Sequence, residues 1–289
     1  MNLYSNVSDR MDYIQKLFLG VGSSIQSRSS LNEIITVLET EPPEYRSVAY
    51  ESASFEIALD DLKPNQHLGV WKEFRQLGAQ QHTFHIDIGL GWAFAKTGVD
   101  PNLYTHTMQP AVKWMVFDGV GYYSALFKGR STLKNKEVPG LIEGDDLRGF
   151  DQGIGRRLWY MAKGNVDVLK DWVKNFPLSR HRDLFRGIGI ACGYVGGSQK
   201  DELLRLKEIS GENHQQLQVG IILAAISRIA SDTISENINM ACRVVCNKTI
   251  NELKSHIGLM PTNFFYLYND SCNGDHWLLQ LESGLVQTN

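Results

Sequence analysis

Apolar residues along this chain recur at helical spacing, and the helices they predict come in pairs. In "PLSRHRDLFRGIGIACGYVGG" (177–197), Leu184, Ile188 and Ala191 follow one another at four and three residues, which is one face of a helix. Pro177 can open that helix and Gly196-Gly197 can close it. The next stretch, "SQKDELLRLKEISGEN", puts Leu203, Leu206 and Ile209 at helical spacing, with Ser198 as the expected N-cap and Gly211 as the stop. The unit is a long apolar helix, a turn, a shorter amphipathic helix and a second turn.

A small-apolar-small triplet marks the long helix of each unit. It reads Gly20-Val21-Gly22, Gly89-Leu90-Gly91, Gly119-Val120-Gly121, Gly153-Ile154-Gly155 and Gly187-Ile188-Gly189. Ser52-Ala53-Ser54 keeps the pattern with serines, and Gly220-Ile221-Ile222 keeps only the first glycine. The first positions lie 32, 37, 30, 34, 34 and 33 residues apart. A period near 33 belongs to helical-hairpin repeats. Shorter partner helices are expected in "SSLNEIITVLET", "HLGVWKEFRQLG" and "NVDVLKDWVKNF", with a weaker one between 101 and 113. Residues 128–149 read as a long polar loop, and "SDTISENINMACRVVC" begins another helix. The expected fold is all-α: about seven helical-hairpin repeats over 1–259, arranged as an open α-solenoid or a closed α/α toroid. Residues 260–289 lack a small pair, and Phe264, Phe265, Tyr266, Tyr268 and Trp277 suggest a capping tail.

A glycine inside a helix costs about 1 kcal/mol relative to alanine. Two per helix therefore call for an offsetting gain, and close approach of neighbouring helices supplies one. As nucleotide loops the triplets fail. The dinucleotide fingerprint needs a third glycine, a preceding strand and a distant acid. Ser124 stands where "DGVGYYS" would need the glycine, and "GIGIACG" has it one residue late. No GxxxxGK[ST] is present.

Composition narrows the function classes. Hydrophobic residues make up 43% and charged residues 21%, enough for a full core. The net charge of -3, with no Lys/Arg-rich run, argues against a nucleic-acid binder. The longest apolar stretch, Val219 to Ala230, is well short of the ~20 residues of a membrane span. The N-terminal residues lack a secretory layout, so a cytoplasmic protein is expected. Cys192, Cys242, Cys246 and Cys272 form no CxxC pair and are expected as buried, reduced thiols, with no metal and no cofactor.

Carboxylates precede the triplet in four consecutive units. Glu51 and Asp118 stand one residue before it, Asp87 and Asp151 two before. If the long helices lie side by side, these acids can line one cavity, and burial can tune such groups for acid–base work. Asp118 is the sharpest case, since an acid inside the apolar run "WMVFDGVGYY" must be satisfied or used. The structural alternative is ion pairing with Arg46, Arg156 or Arg186. Gln152, Arg156, Arg157 and Arg186 sit near one level and are candidates to hold an anionic substrate group or one of the acids. Trp92, Tyr122, Tyr123, Trp159, Tyr160 and Tyr194 are candidates to wall an apolar substrate pocket. His82, His85 and Asp87 in "HTFHID" have a metal-like spacing, but a helix turns Asp87 away from at least one histidine.

The blocks "EPPEYRSVAYESASFEIAL", "HIDIGLGWAFA", "VKWMVFDGVGYY", "FDQGIGRRLWY", "FPLSRHRDLFRGIGIACGYVGG" and "MACRVVC" occur in an order that resembles an uncharacterised bacterial family labelled enediyne biosynthesis proteins. The resemblance covers roughly residues 14 to 250. It carries over the motif positions Asp118, Gly119, Gly121, Asp151, Gln152, Gly153, Gly155 and Arg156. It implies a role beside enzymes that process a linear polyene. "HTFHIDIG", "ESAS" and Asn237 depart from the family pattern, which implies a different hydrophobic substrate. Two functions are expected on these grounds. One is a cofactor-independent enzyme for acid-assisted cyclisation or isomerisation of a polyene or isoprenoid-like chain, with Asp118, Asp151, Glu51 and Asp87 as its acids. No DDxxD box supports a metal-dependent cyclase, since Asp145-Asp146 falls in a polar segment. The other is a non-catalytic helical scaffold that binds a pathway enzyme or a labile intermediate.

Overall fold

The structure, a computed structural model, describes residues 6–259 apart from 27, 29, 64–66 and 109. The aromatic tail and Cys272 lie outside the described residues. The helices are α1 (Val7–Ile25), α2 (Leu31–Glu39), α3 (Pro43–Asp61), α4 (Gly69–Leu77), α5 (Ala79–Thr97), α6 (Asn102–Thr105), α7 (Pro110–Phe127), α8 (Asp145–Ala162), α9 (Val166–Lys174), α10 (Leu178–Val195), α11 (Lys200–Ser210), α12 (His214–Ala230), α13 (Glu236–Cys246) and α14 (Ile250–Leu259). Among the described residues there is no strand, and no helix is long and apolar enough to cross a membrane.

Local signals set most helix ends. Asn6 and Ser30 accept from Asp9 N and Glu33 N at the starts of α1 and α2. α10 follows Pro177 and ends at Gly196 and Gly197, whose φ values of 69° and 87° suit glycine. Two expectations need correction. The N-cap of α11 is Gln199, which forms a capping box with Glu202, while Ser198 is buried beside it. The loop expected over 128–149 ends early. It contains a π-helical turn at Arg130–Lys134, and α8 begins at Asp145 after Gly144 turns the chain with φ 53°. Asp146 sits in the first turn of α8 and pairs with Lys113 at 2.8 Å. The weak helix expected after 101 is only the four-residue α6.

The seven helices that carry the triplets pack in series, α1 on α3, α3 on α5, then α7, α8, α10 and α12. Lys128, just past α7, reaches Ala95 O near the end of α5 at 3.2 Å. Arg148, early in α8, lies over Trp114, early in α7, at 5.2 Å. These three helices therefore run in the same direction.

The triplets explain how closely the series packs. A Cβ on Gly119 would collide with Ile88 O of α5, and one on Gly121 with Phe150 O of α8. The first glycine faces the helix before and the second faces the helix after. Residues two apart on a helix project about 200° apart, so one triplet serves two neighbours. The same alternation holds for Gly153 and Gly155, and for Gly187 and Gly189. In α3 the serines use the same directions differently. Ser52 Oγ donates to Phe18 O of α1 at 2.6 Å, and Ser54 Oγ donates to Ile86 O of α5. A hydroxyl turns the close carbonyl into a hydrogen bond where glycine only leaves room. α1 departs from the pattern, because a Cβ on Gly20 would meet nothing within 4 Å.

Two buried arginines join the start of the series to its end. Arg10 of α1 bonds Val195 O of α10 and the Glu44 carboxylate of α3. Arg228 of α12 bonds Tyr194 O at 2.6 Å and also Glu44 O.

Candidate functional site

The inner faces of the seven long helices surround a cavity of about 480 Å³, within the usual range for small-molecule sites of about 300–1,000 Å³. Its lining residues keep a fixed register to the triplets. On α5 they are His85, Ile88, Trp92 and Lys96; on α7 they are Met115, Asp118, Tyr122 and Leu126. Each set stands four before, one before, three after and seven after the first small residue, a single helix face.

The walls are aromatic. Trp92 stacks on Tyr122 with ring centroids 5.2 Å apart, and Phe18 lies 4.7 Å from Trp92 on the other side. Phe55 and Tyr123 approach Trp92 at 5.9 and 5.8 Å, and Tyr160 meets Tyr122 edge-on at 5.8 Å. Two lining residues, Leu19 and Phe127, are 63% and 62% exposed, which locates the mouth.

The far end is polar and buried: Glu51, His85, Asp118 and Arg156. Arg156 pairs with Asp118 and stands 4.0 Å from Glu51. Gln152 Nε2 donates to Asp118 Oδ2 at 2.7 Å. Gln152 Oε1 in turn accepts from Trp114 Nε1 at 3.1 Å and Arg186 Nε at 2.7 Å. Both of those groups can only donate, so the orientation of the Gln152 amide is fixed. Each Asp118 oxygen thus accepts from an obligate donor. Burial pushes the Asp118 carboxyl above its ordinary value, while Arg156 and Gln152 pull it back. The donor pattern fits the ionised form, with Asp118 holding Arg156 in place.

His85 is the group at this end suited to move a proton. Its Nδ1 lies 2.8 Å from Glu51 Oε2. Burial holds its pKa below the ordinary histidine value against the pull of Glu51, so the ring is neutral and Nδ1–H donates to the carboxylate. Nε2 then carries the lone pair, and it has no hydrogen-bond partner among the described residues. A carboxylate that orients an imidazole in this way is the arrangement of a general base.

Of the residues predicted from sequence, Glu51, Trp92, Asp118, Tyr122, Tyr123, Arg156, Arg157, Tyr160 and Tyr194 line the cavity. Asp87, Asp151, Gln152, Trp159 and Arg186 do not. Asp87 pairs with Arg75 of α4 at 2.7 Å, and Asp151 accepts from Arg180 of α10, whose Nε lies 3.0 and 2.9 Å from its two oxygens and whose Nη2 also donates to Oδ1. Burial pushes the Asp151 carboxyl up to about 6. Arg186 bonds Asp183, Gln152 and Gln216 in a buried network behind the wall. Trp159 is buried in the surrounding core. Arg46, a possible partner for the acids, bonds Glu39 at 2.8 Å instead. Sequence reasoning missed Phe18, Phe55 and Lys96, and weighed His85 only as a metal ligand. Counting three and seven residues on from each triplet finds Phe55 and Lys96; no such signal marks Phe18.

His82 lies outside the lining. Its Nδ1 is 2.9 Å from Ser47 Oγ, and its ring stacks on Tyr50 at 4.2 Å. Asp87 points away to Arg75, so the three residues of "HTFHID" go to three different partners. Burial, with smaller contributions from His85 and Arg46, holds His82 at about 4. A histidine with a depressed folded pKa contributes stability that is present above its unfolded value near 6.5 and is lost as pH falls through the folded value. Urea denaturation between about pH 7 and 4 should show wild type losing up to about 3 kcal/mol that His82→Gln does not lose. Equal slopes in the two proteins would contradict this placement.

Cys192, Cys242 and Cys246 are buried free thiols. Burial pushes Cys192 and Cys242 up to about 12, so neither supplies a thiolate near neutral pH.

Residues 3–259 match the family described as "Protein of unknown function (DUF1702)". The chain belongs to that family. The matched span contains every helix that lines the cavity. Family membership assigns no activity and does not link the chain to enediyne biosynthesis. Comparison with curated proteins and with solved structures found no match.

Proposed function

We propose that this protein takes an elongated, unsaturated hydrophobic chain of the polyene or isoprenoid kind into its cavity. The Glu51–His85 pair then moves a proton on that chain, giving isomerisation or cyclisation without a cofactor. The observation that carries this is the pairing of an aromatic wall, centred on Trp92 and Tyr122, with one oriented imidazole at the inner end. Aromatic faces suit a conjugated chain and any positive charge that develops along it. His85 Nε2 takes a proton from one carbon and returns it to another, so the chain shifts its double bonds with no net redox change. Arg156, held by Asp118, supplies a fixed positive charge beside the reacting end. The resemblance to proteins labelled for enediyne biosynthesis makes a linear polyene the first substrate class to try. In this proposal the helix pairs close into an α/α toroid, supported by Arg10, which ties α1 to α10, and by Arg228, which ties α12 to α3.

The test uses cis-parinaric acid, a conjugated tetraene whose fluorescence reports binding and whose absorbance reports any change in conjugation. Wild type is expected to bind it and alter its spectrum. His85→Gln and Glu51→Gln should bind it but slow the change by about 100-fold or more, the scale of lost general acid–base catalysis. Binding without spectral change in wild type would leave a carrier and sink the proton transfer. No binding would sink the proposal as a whole.

A further inference from the structure

Most arginines buried in this fold meet a carboxylate; the cations that line the cavity mouth do not. Arg10, Arg156, Arg180 and Arg186 each meet a carboxylate. Arg157 and Lys96 line the cavity, yet among the described residues no carboxylate lies within ion-pair distance of either. Arg157 Nε is buried and has no hydrogen-bond partner. Burial pushes the neighbouring Tyr122 phenol up, and Arg157 pulls it back. Lys96 Nζ rests over the Phe55 ring at 5.1 Å, with no acceptor among the described residues. Trp92 Nε1, one turn below Lys96, is a third donor that is buried and unpaired. The mouth therefore presents three donors, two of them cationic: Arg157 Nε and Trp92 Nε1 are buried without a partner, while Lys96 is exposed to solvent with no carboxylate among the described residues in reach. A buried donor without a partner costs free energy that a ligand's acceptor atoms recover.

We infer that the ligand carries an anionic head group, a carboxylate or a phosphate, seated at the mouth by Lys96 and Arg157 with Trp92 Nε1 beside them. This inference rests on the cavity proposal above and adds polarity to it. The head stays at the mouth, and the tail runs inward along α5 toward His85. Lys96 and His85 are separated by about 16 Å at 1.5 Å per residue, which is the length offered to the tail. The proton transfer then falls at the tail end, remote from the head group.

Fluorescence titration with cis-parinaric acid and with its methyl ester separates the two ideas. The chains are the same and only the head charge differs. The acid is expected to bind about tenfold or more tightly than the ester, the discrimination of a charge-assisted hydrogen bond. Lys96→Met and Arg157→Met keep the apolar stems, and together they should erase that preference while leaving ester binding as it was. Displacement by dodecanoate would assign a carboxylate head, and stronger displacement by farnesyl phosphate a phosphate head. Equal binding of acid and ester to wild type, or farnesol displacing as well as either anion, overturns the head-group assignment and leaves the cavity proposal standing. Failure of both acid and ester to bind overturns the cavity proposal and this inference with it.

Discussion

Gly121→Ala is expected to lower stability by about 3 kcal/mol or more in urea denaturation, whereas Gly20→Ala raises it by about 0.5–1 kcal/mol. The chemical change is identical and the sign is opposite. A methyl at Gly121 would collide with Phe150 O, part of the α8 backbone, so no rotamer can relieve it. The helices must separate, and contacts along both are lost. At Gly20 a methyl meets nothing within 4 Å, so only the helix propensity of alanine remains. A neutral Gly121→Ala would show that α7 and α8 do not pack through their backbones.

Arg156→Leu is expected to cost about 3–5 kcal/mol, because it leaves Asp118 ionised, buried and without its cation. The double variant Arg156→Leu/Asp118→Leu should be more stable than Arg156→Leu alone, since it removes the stranded charge. The pH dependence of the single variant carries a definite sign. Without Arg156 the folded pKa of Asp118 rises further above its unfolded value. A raised carboxyl contributes stability that is present below the unfolded value near 4 and is lost as pH rises. Arg156→Leu should therefore be closest to wild type in acid and furthest from it near neutrality. A deficit independent of pH would mean that Asp118 does not carry the effect.

Much of this architecture was legible because it depends on backbone clearance, which glycine and serine reveal directly in a sequence. The period of the triplets located the long helices, and the acids beside them located the inner end of the cavity. The four acids divided by a single residue of offset. Glu51 and Asp118, one before the triplet, point inward. Asp87 and Asp151, two before, are turned by about 100° and meet Arg75 and Arg180 on neighbouring helices. The offset was visible in the sequence, but its meaning required knowing which face of the helix points inward. Gln152 and Arg186 stand at the inward offset too. They bond each other and Asp118 through the wall between helices, an outcome that depends on which neighbours lie within reach. His85 was hidden for a similar reason: its role comes from Glu51, 34 residues earlier, on the adjacent helix.

The backbone contacts at the triplets also bear on how anything enters. Helices whose main chains already touch cannot slide or part at that level without losing the packing that holds them. The helix contacts at that level are rigid, and access to the cavity depends on side chains at its mouth. Leu19, Lys96 and Phe127 are free to change rotamer on the picosecond-to-nanosecond scale of exposed groups. Uptake of a slender, stiff molecule should then be limited by end-on alignment with the opening, and a branched or folded chain of equal volume should enter far more slowly.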